Sequence, residues 1–171
     1  VGEGVTEIAI GDAVVSSFVS MCGKCRYCQT GRPQLCDQAA KAAYTLPDGT
    51  VRTKDLQGKP LNIFSGCGVM AEVATLHTDN VVKIDRDIPL DRAALVSCSV
   101  MTGVGAVVNT ARVEAGSIAV VFGAGGVGLN AIQGCAIAGA AMIVAVDMAD
   151  AKLEMARQFG ATHTLNAKSE E

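Results

Sequence analysis

Four cysteines, Cys22, Cys25, Cys28 and Cys36, follow one another at the spacing C-x2-C-x2-C-x7-C. A thiolate is a soft anionic ligand, and four of them close a tetrahedron around Zn2+ with no position left for water. Such a centre holds structure and does no chemistry of its own. The two-residue gaps let a tight turn aim successive sulfurs inward, and Gly23 and Gly31 relieve the backbone where it doubles back. Two other chemistries use clustered cysteines. A disulfide framework suits a small secreted chain, and nothing else here reads as secreted. An iron–sulfur motif opening C-x2-C-x2-C continues with a short gap and Cys-Pro, whereas here seven residues separate Cys28 from Cys36 and Asp37 follows. Zinc fits best.

A second pattern is Gly123-Ala124-Gly125-Gly126-Val127-Gly128. A lone G-x-G-x-x-G is weak evidence, but this one follows the apolar run 117–122 and opens a helical stretch. Asp147 comes 19 positions after Gly128, at the end of the next apolar run. That context is a dinucleotide-binding fingerprint. Gly123 permits a tight turn, Gly125 lets the backbone approach a pyrophosphate, and Gly128 lets helix and strand pack closely. The helix start, with Gly126 and Val127, offers unpaired N–H groups to the phosphate. Asp147 accepts hydrogen bonds from ribose hydroxyls and repels a 2′-phosphate, which favours NAD over NADP. The bland reading is a glycine-rich turn that binds nothing.

These residues need elements to hold them. The 171 residues are 50% apolar, with 19 glycines and little aromatic content, which suits a buried parallel sheet under close-packed helices. The second half alternates strand and helix: strands over 117–122 and 141–147, helices to about 138 and over 150–159 with Asp150 as cap, and a third strand over 163–166. Gly139 and Gly160 close the two helices. The first half is β-rich and irregular. It has a strand over 13–19, turns at Gly11-Asp12, Pro47-Asp48-Gly49 and Gly58-Lys59-Pro60, mixed strand pattern over 63–76, a strand over 81–84 and a helix from Asp91 to Cys98. A net charge of −3 gives no footprint for nucleic acid or an anionic membrane, and Lys24, Arg26 and Arg32 read as a solvated face. No uninterrupted apolar run approaches a membrane span. Many free cysteines favour a reducing, cytoplasmic setting.

Zinc lobe, hairpin and glycine fingerprint in this order resemble the zinc-dependent, medium-chain alcohol dehydrogenases over essentially all 171 residues. Gly11-Asp12-Ala13-Val14 leading into the four cysteines looks like that family's structural-zinc lobe. Pro47-Asp48-Gly49-Thr50 and Gly58-Lys59-Pro60 look most like the class III branch, the glutathione-dependent formaldehyde dehydrogenases, with bacterial NAD-linked alcohol dehydrogenases as close competitors. The run Ala-Leu-Val-Ser-Cys-Ser-Val-Met-Thr-Gly at 94–103 is similar to the segment carrying the last catalytic-zinc ligand. By that resemblance Cys98 ligates catalytic zinc, Thr102 lies beside the nicotinamide, and both line the cleft between two domains. Lys152 matches a lysine that contacts the adenosine ribose, and Val127 a residue packed near the nicotinamide.

The implied fold is α/β. Residues 1–99 are part of a β-rich GroES-like catalytic domain with its structural zinc lobe at about 20–40. Residues 100–171 are the first half of a Rossmann NAD-binding domain. The implied reaction passes a hydride from a primary alcohol or hydroxymethyl adduct to NAD, with zinc lowering the pKa of the alcohol. The implied assembly is a homodimer or homotetramer. The family's catalytic zinc also takes a Cys and a His, expected upstream of Val1, and further strands of the cofactor domain are expected after Glu171. The resemblance thus implies an internal fragment, catalytically incomplete by itself.

Two alternatives stay open: a zinc-independent medium-chain NAD(P)H reductase, which usually lacks a four-cysteine lobe, and a non-catalytic zinc- and nucleotide-binding remnant. Cys67 and Cys135 match no ligand position and read as core or near-surface thiols. His77 and His163 read as structural or exposed. No residue selects among alcohols or tells whether a thiol such as glutathione takes part.

Overall fold

The structure, a computed structural model, describes residues 1–41 and 43–169. The chain divides into two compact units, Val1–Ala94 and Leu95–Glu171.

In the first unit, β1 (Val14–Ser16) pairs antiparallel with β2 (Val81–Lys83), Val15 facing Val82. The strand expected over 13–19 stops early because the Ser17 hydroxyl donates to Val19 O at 3.1 Å and accepts from Val19 N at 3.3 Å. That local side-chain turn bends the backbone out of the ladder. Asp12 ties the start of β1 to the end of β2: its carboxylate accepts from Ala9 N at 2.8 Å and from Lys83 Nζ at 2.9 Å. Three short helical pieces follow: α1 (Arg26–Gln29), a 3-10 turn at Pro33–Leu35 and α2 (Asp37–Lys41). All three expected turns form, Asp12 N donating to Ala9 O at 3.1 Å, Gly49 N to Leu46 O at 2.8 Å and Gly58 N to Asp55 O at 3.0 Å. The mixed strand pattern over 63–76 does not become strand. A 3-10 turn stands at Phe64–Gly66, and Ser65, Gly66 and Gly68 have φ of 54°, 65° and 56°. Left-handed residues so close together break the alternation a pleated strand requires.

In the second unit, β3 (Ile118–Phe122), β4 (Met142–Asp147) and β5 (His163–Asn166) form a parallel sheet in the order β3-β4-β5. Helix α4 (Gly126–Ile137) links the first pair and α5 (Asp150–Gln158) the second. Ile143, Ala145 and Val146 of central β4 are buried, and with Ile132, Cys135, Leu153 and Ala156 they make the core. Gly139 (φ 78°) and Gly160 (φ 109°) end the helices as expected. Asp150 does not cap α5. It is the first helical residue behind Ala149, and its carboxylate accepts from Asn166 Nδ2. The amides ahead of the helix are taken instead by Asp147 Oδ1, from Met148 at 2.8 Å and Ala149 at 3.0 Å.

Helix α3 (Leu90–Ala111) runs well beyond Cys98, with π-helical stretches at Val96–Val100 and Ala106–Ala111. Among the described residues it is the one helix long and apolar enough, by length and composition, to cross a membrane. Its apolar run is not continuous: Asp91 and Arg92 open the helix, and Ser97, Ser99, Thr102 and Asn109 interrupt it. Its Met101–Gly105 turns press on α4: a Cβ at Gly103 would lie 2.5 Å from Val127 O and 2.6 Å from Asn130 Cβ. Gly134 answers from α4, where an added Cβ would meet Val107 Cβ at 3.1 Å. Two glycines let the helix backbones approach, which is tight protein–protein packing.

Candidate metal centre and nucleotide-binding loop

The sulfurs of Cys22, Cys25, Cys28 and Cys36 all lie within 4.8 Å of one another. Local structure delivers them. Cys25 is the N-cap of α1, its sulfur accepting from Cys28 N at 3.5 Å, and Cys36 closes the turn at Pro33–Leu35 just before α2. Cys22 N donates to Cys36 Sγ at 3.5 Å, and the Cys25 and Cys36 sulfurs stand 4.0 Å apart. A tetrahedron with Zn–S bonds of about 2.3 Å sets its sulfurs about 3.8 Å apart, so this set fits zinc with little adjustment. The amides favour the anionic form a metal needs. N–H groups of Cys28 and Asp37 bring the Cys25 thiol down to about 6. At Cys36 burial opposes ionisation, yet the amides of Cys22, Gln38 and Ala39 hold the thiol below its ordinary range. Burial and the bond to Cys25 push Cys28 up to about 12. With protons alone, neighbouring sulfurs cannot all ionise; a dication removes that repulsion. All seven cysteines are free thiols, so the disulfide reading has no geometry behind it.

In the second unit, Gly123 turns the chain after β3 with φ 91°, and its N–H donates to Val146 O at 2.7 Å. A Cβ at Gly128 would lie 1.7 Å from Gly123 O, so only glycine fits there. A Cβ at Gly125 would meet nothing within 4 Å, leaving the face a pyrophosphate approaches open. Gly126 begins α4, and Val127 in its first turn is exposed. Asp147 ends β4, and its Oδ2 accepts from Ala124 N, inside the glycine loop, at 2.8 Å. That amide, helped by those of Ala149 and Met148 and by Lys152, whose Nζ is 3.8 Å from Oδ2, holds the Asp147 carboxyl below its ordinary range. Asp147, Lys152 and the loop thus come together at the carboxyl ends of parallel strands, where open α/β sheets bind ligands. No spacing rule announces the Asp147–Ala124 bond.

Cys98 is exposed within the first π-helical stretch of α3, and Thr102, one turn on, is exposed too. Cys67 and Cys135 are buried, and burial pushes both thiols up, as inert core groups. His77 is exposed, its Nδ1 accepting from Asp79 N at 3.2 Å, and His163 is exposed beside Thr162.

A four-sulfur lobe thus stands in one unit and a strand–glycine-loop–helix in the next. A family model described as an alcohol dehydrogenase GroES-like domain matches residues 1–86, and one described as a zinc-binding dehydrogenase matches residues 126–171. The chain belongs to the zinc-binding alcohol dehydrogenase family. It is 42% identical to S-(hydroxymethyl)glutathione dehydrogenase of Paracoccus denitrificans, over 99% of this chain and 46% of that protein. A solved zinc-binding alcohol dehydrogenase domain protein from Burkholderia ambifaria superposes with a TM-score of 0.89 at 35% identity, covering 100% of this chain and 47% of that one. Benzyl alcohol dehydrogenase of Acinetobacter calcoaceticus gives 0.80 at 34% identity, covering 98% and 45%. The chain spans about half the length of the curated relatives it matches.

Proposed function

We propose that the protein acts as a cytoplasmic, NAD-linked zinc alcohol dehydrogenase, oxidising a primary alcohol or a hydroxymethyl adduct of a thiol. The observation that carries the reading is the 2.8 Å bond from Ala124 N to Asp147 Oδ2, which sets an acid beside the glycine loop. In this reading residues 1–99 belong to the catalytic domain and residues 100–171 to a Rossmann cofactor domain. Cys22, Cys25, Cys28 and Cys36 hold a structural zinc. Gly123, Gly125, Gly126 and Gly128 leave room for the pyrophosphate, Asp147 and Lys152 bind the adenosine ribose, and Val127 packs near the nicotinamide. Asp147 Oδ1 is taken up by two amides and Oδ2 by one, which leaves acceptor capacity on Oδ2 for a ribose hydroxyl.

Cys98 is one thiolate of a catalytic zinc, and Thr102 borders the reacting ring. When bound, zinc supplies Lewis acidity to the alcohol oxygen and NAD accepts the hydride. A catalytic zinc takes three protein ligands, and Cys98 is the one this reading assigns within these residues. The Paracoccus relative's name supports the hydroxymethyl adduct, and that of putative alcohol dehydrogenase D of Mycobacterium tuberculosis, 46% identical, supports the simple alcohol. The working assembly is a homodimer or homotetramer.

Titration calorimetry with NAD and NADP tests the cofactor assignment. The parent should prefer NAD, and Asp147→Ala should weaken NAD binding and narrow its margin over NADP. An unchanged preference in a folded variant removes Asp147 from the ribose site.

A further inference from the structure

Asn80 is polar and wholly buried, and its bonds run to the segment that leads into the metal lobe. The Ser20 hydroxyl, itself 2% exposed, donates to Asn80 Oδ1 at 2.8 Å. Asn80 Nδ2 donates to Ser17 O at 2.9 Å and Ser65 O at 3.3 Å. The main chain repeats the tie: Ser17 N donates to Asn80 O at 2.8 Å and Met21 N to Asp79 O at 3.3 Å. Residues 17–21 are therefore pinned to the turn Thr78–Asn80 by side chain and backbone together. The next residue is Cys22.

We propose that Asn80 is a positioning residue for the four-sulfur centre, fixing where Cys22 meets the other three cysteines; this rests on the zinc reading of that centre. Cys25, Cys28 and Cys36 are ordered by the short helices around them, through bonds within the lobe. Cys22 precedes those helices and meets them through its amide, donated to Cys36 Sγ, and through its sulfur beside those of Cys25 and Cys36. Its approach is set from outside, by the buried Ser20–Asn80 pair. Without that anchor, residues 17–21 gain backbone freedom, and a ligand on a freer tether leaves its metal more often. Metal release begins with the loss of one ligand, so the release rate reports the anchor directly. Buried polar pairs of this kind hold a geometry because an unmade bond there is costly.

The test follows zinc transfer from the loaded chain to an excess of a chromophoric chelator, for the parent and for Ser20→Ala, Asn80→Ala and Leu46→Ala. Leu46 is buried in the same unit, bonded through its backbone to Thr50, and serves as a packing control. Ser20→Ala and Asn80→Ala should release zinc about tenfold faster, at the low end of what supporting residues of metal sites show. With Co2+ in place of zinc, their thiolate-to-cobalt charge-transfer bands should shift. Leu46→Ala should lower the melting temperature and leave release rate and cobalt spectrum as in the parent. If Asn80→Ala does not fold, Ser20→Ala, a smaller change, carries the test. Release rates that simply follow melting temperature through all three variants, with unchanged cobalt bands, overturn the positioning role. A parent chain that takes up no zinc overturns the metal reading and this inference together.

Discussion

Asp147 does two things at once. Its Oδ2 staples the glycine loop to the end of β4 through Ala124 N, and its Oδ1 takes the amides that lead into α5. Because those amides favour the carboxylate, its folded-state pKa lies below the unfolded value of 3.8. A depressed acid adds stability that is fully present above the unfolded pKa and is lost as pH falls through the folded one. Asp147→Asn should therefore melt lower than the parent at neutral pH, and the gap should close as pH falls below about 4. Melting curves from pH 7 to pH 3 check this; a constant gap means the charge is irrelevant. Cys25 is the other residue whose charge matters, since its sulfur both caps α1 and meets Cys36. Cys25→Ser should lose close to one zinc per chain and destabilise the lobe, because binding and local folding are one process there. Metal analysis by atomic emission reads it, and undiminished zinc would refute the ligand set.

At the scale of elements, the helix crossing decides the second unit's packing. Gly103 of α3 lies against the backbone of α4 with no room for a methyl group, the nearest atom being a carbonyl oxygen 2.5 Å from an added Cβ. A rigid helix backbone cannot swing aside as a long side chain can. Gly103→Ala should force the helices apart and cost about 1–3 kcal/mol, the usual penalty of overpacking. Gly105→Ala, in the same turns, would meet only Asn109 Nδ2 at 3.8 Å and should stabilise by about 0.5–1 kcal/mol, the helix-propensity gain. Denaturant midpoints of the two variants separate packing from helix propensity, which would move both alike. How strands end is likewise decided among elements. The expected strand over 13–19 is cut short by the Ser17 side-chain turn, and the pattern over 63–76 yields to left-handed residues at 65, 66 and 68.

Across the whole molecule the two units are organised by different means. The second has a contiguous apolar core around Ile132 and Ile143. In the first, buried apolar side chains such as Leu46 and Ile63 are joined by the buried polar pair Ser20 and Asn80 and by the sulfur cluster. A region with less apolar burial depends more on staples. Removing zinc with a chelator should open residues 20–41 to proteolysis well before the strands β3 to β5 are cut. Mass spectrometry of the early fragments checks the order, and simultaneous cleavage in both units would contradict it.

The sequence by itself determined the four-cysteine cluster, the glycine loop and the strand–helix alternation from 117 to 166. Each is written in short-range terms. Cysteine gaps set which sulfurs one turn can gather, a glycine marks a spot with no room for Cβ, and apolar runs between helix stops mark a parallel sheet. The roles proposed for Cys98, Thr102 and Lys152 rest on resemblance alone, because an exposed thiol, hydroxyl or lysine carries no local signature of a role. Tertiary structure decided the Asp147–Ala124 staple, the Gly103–α4 crossing and the burial of Asn80 against Ser17 and Ser20. Those partners lie 23, 24 and about 60 residues apart in sequence. Their meeting depends on strand register and helix packing, and no periodicity within a short window encodes either.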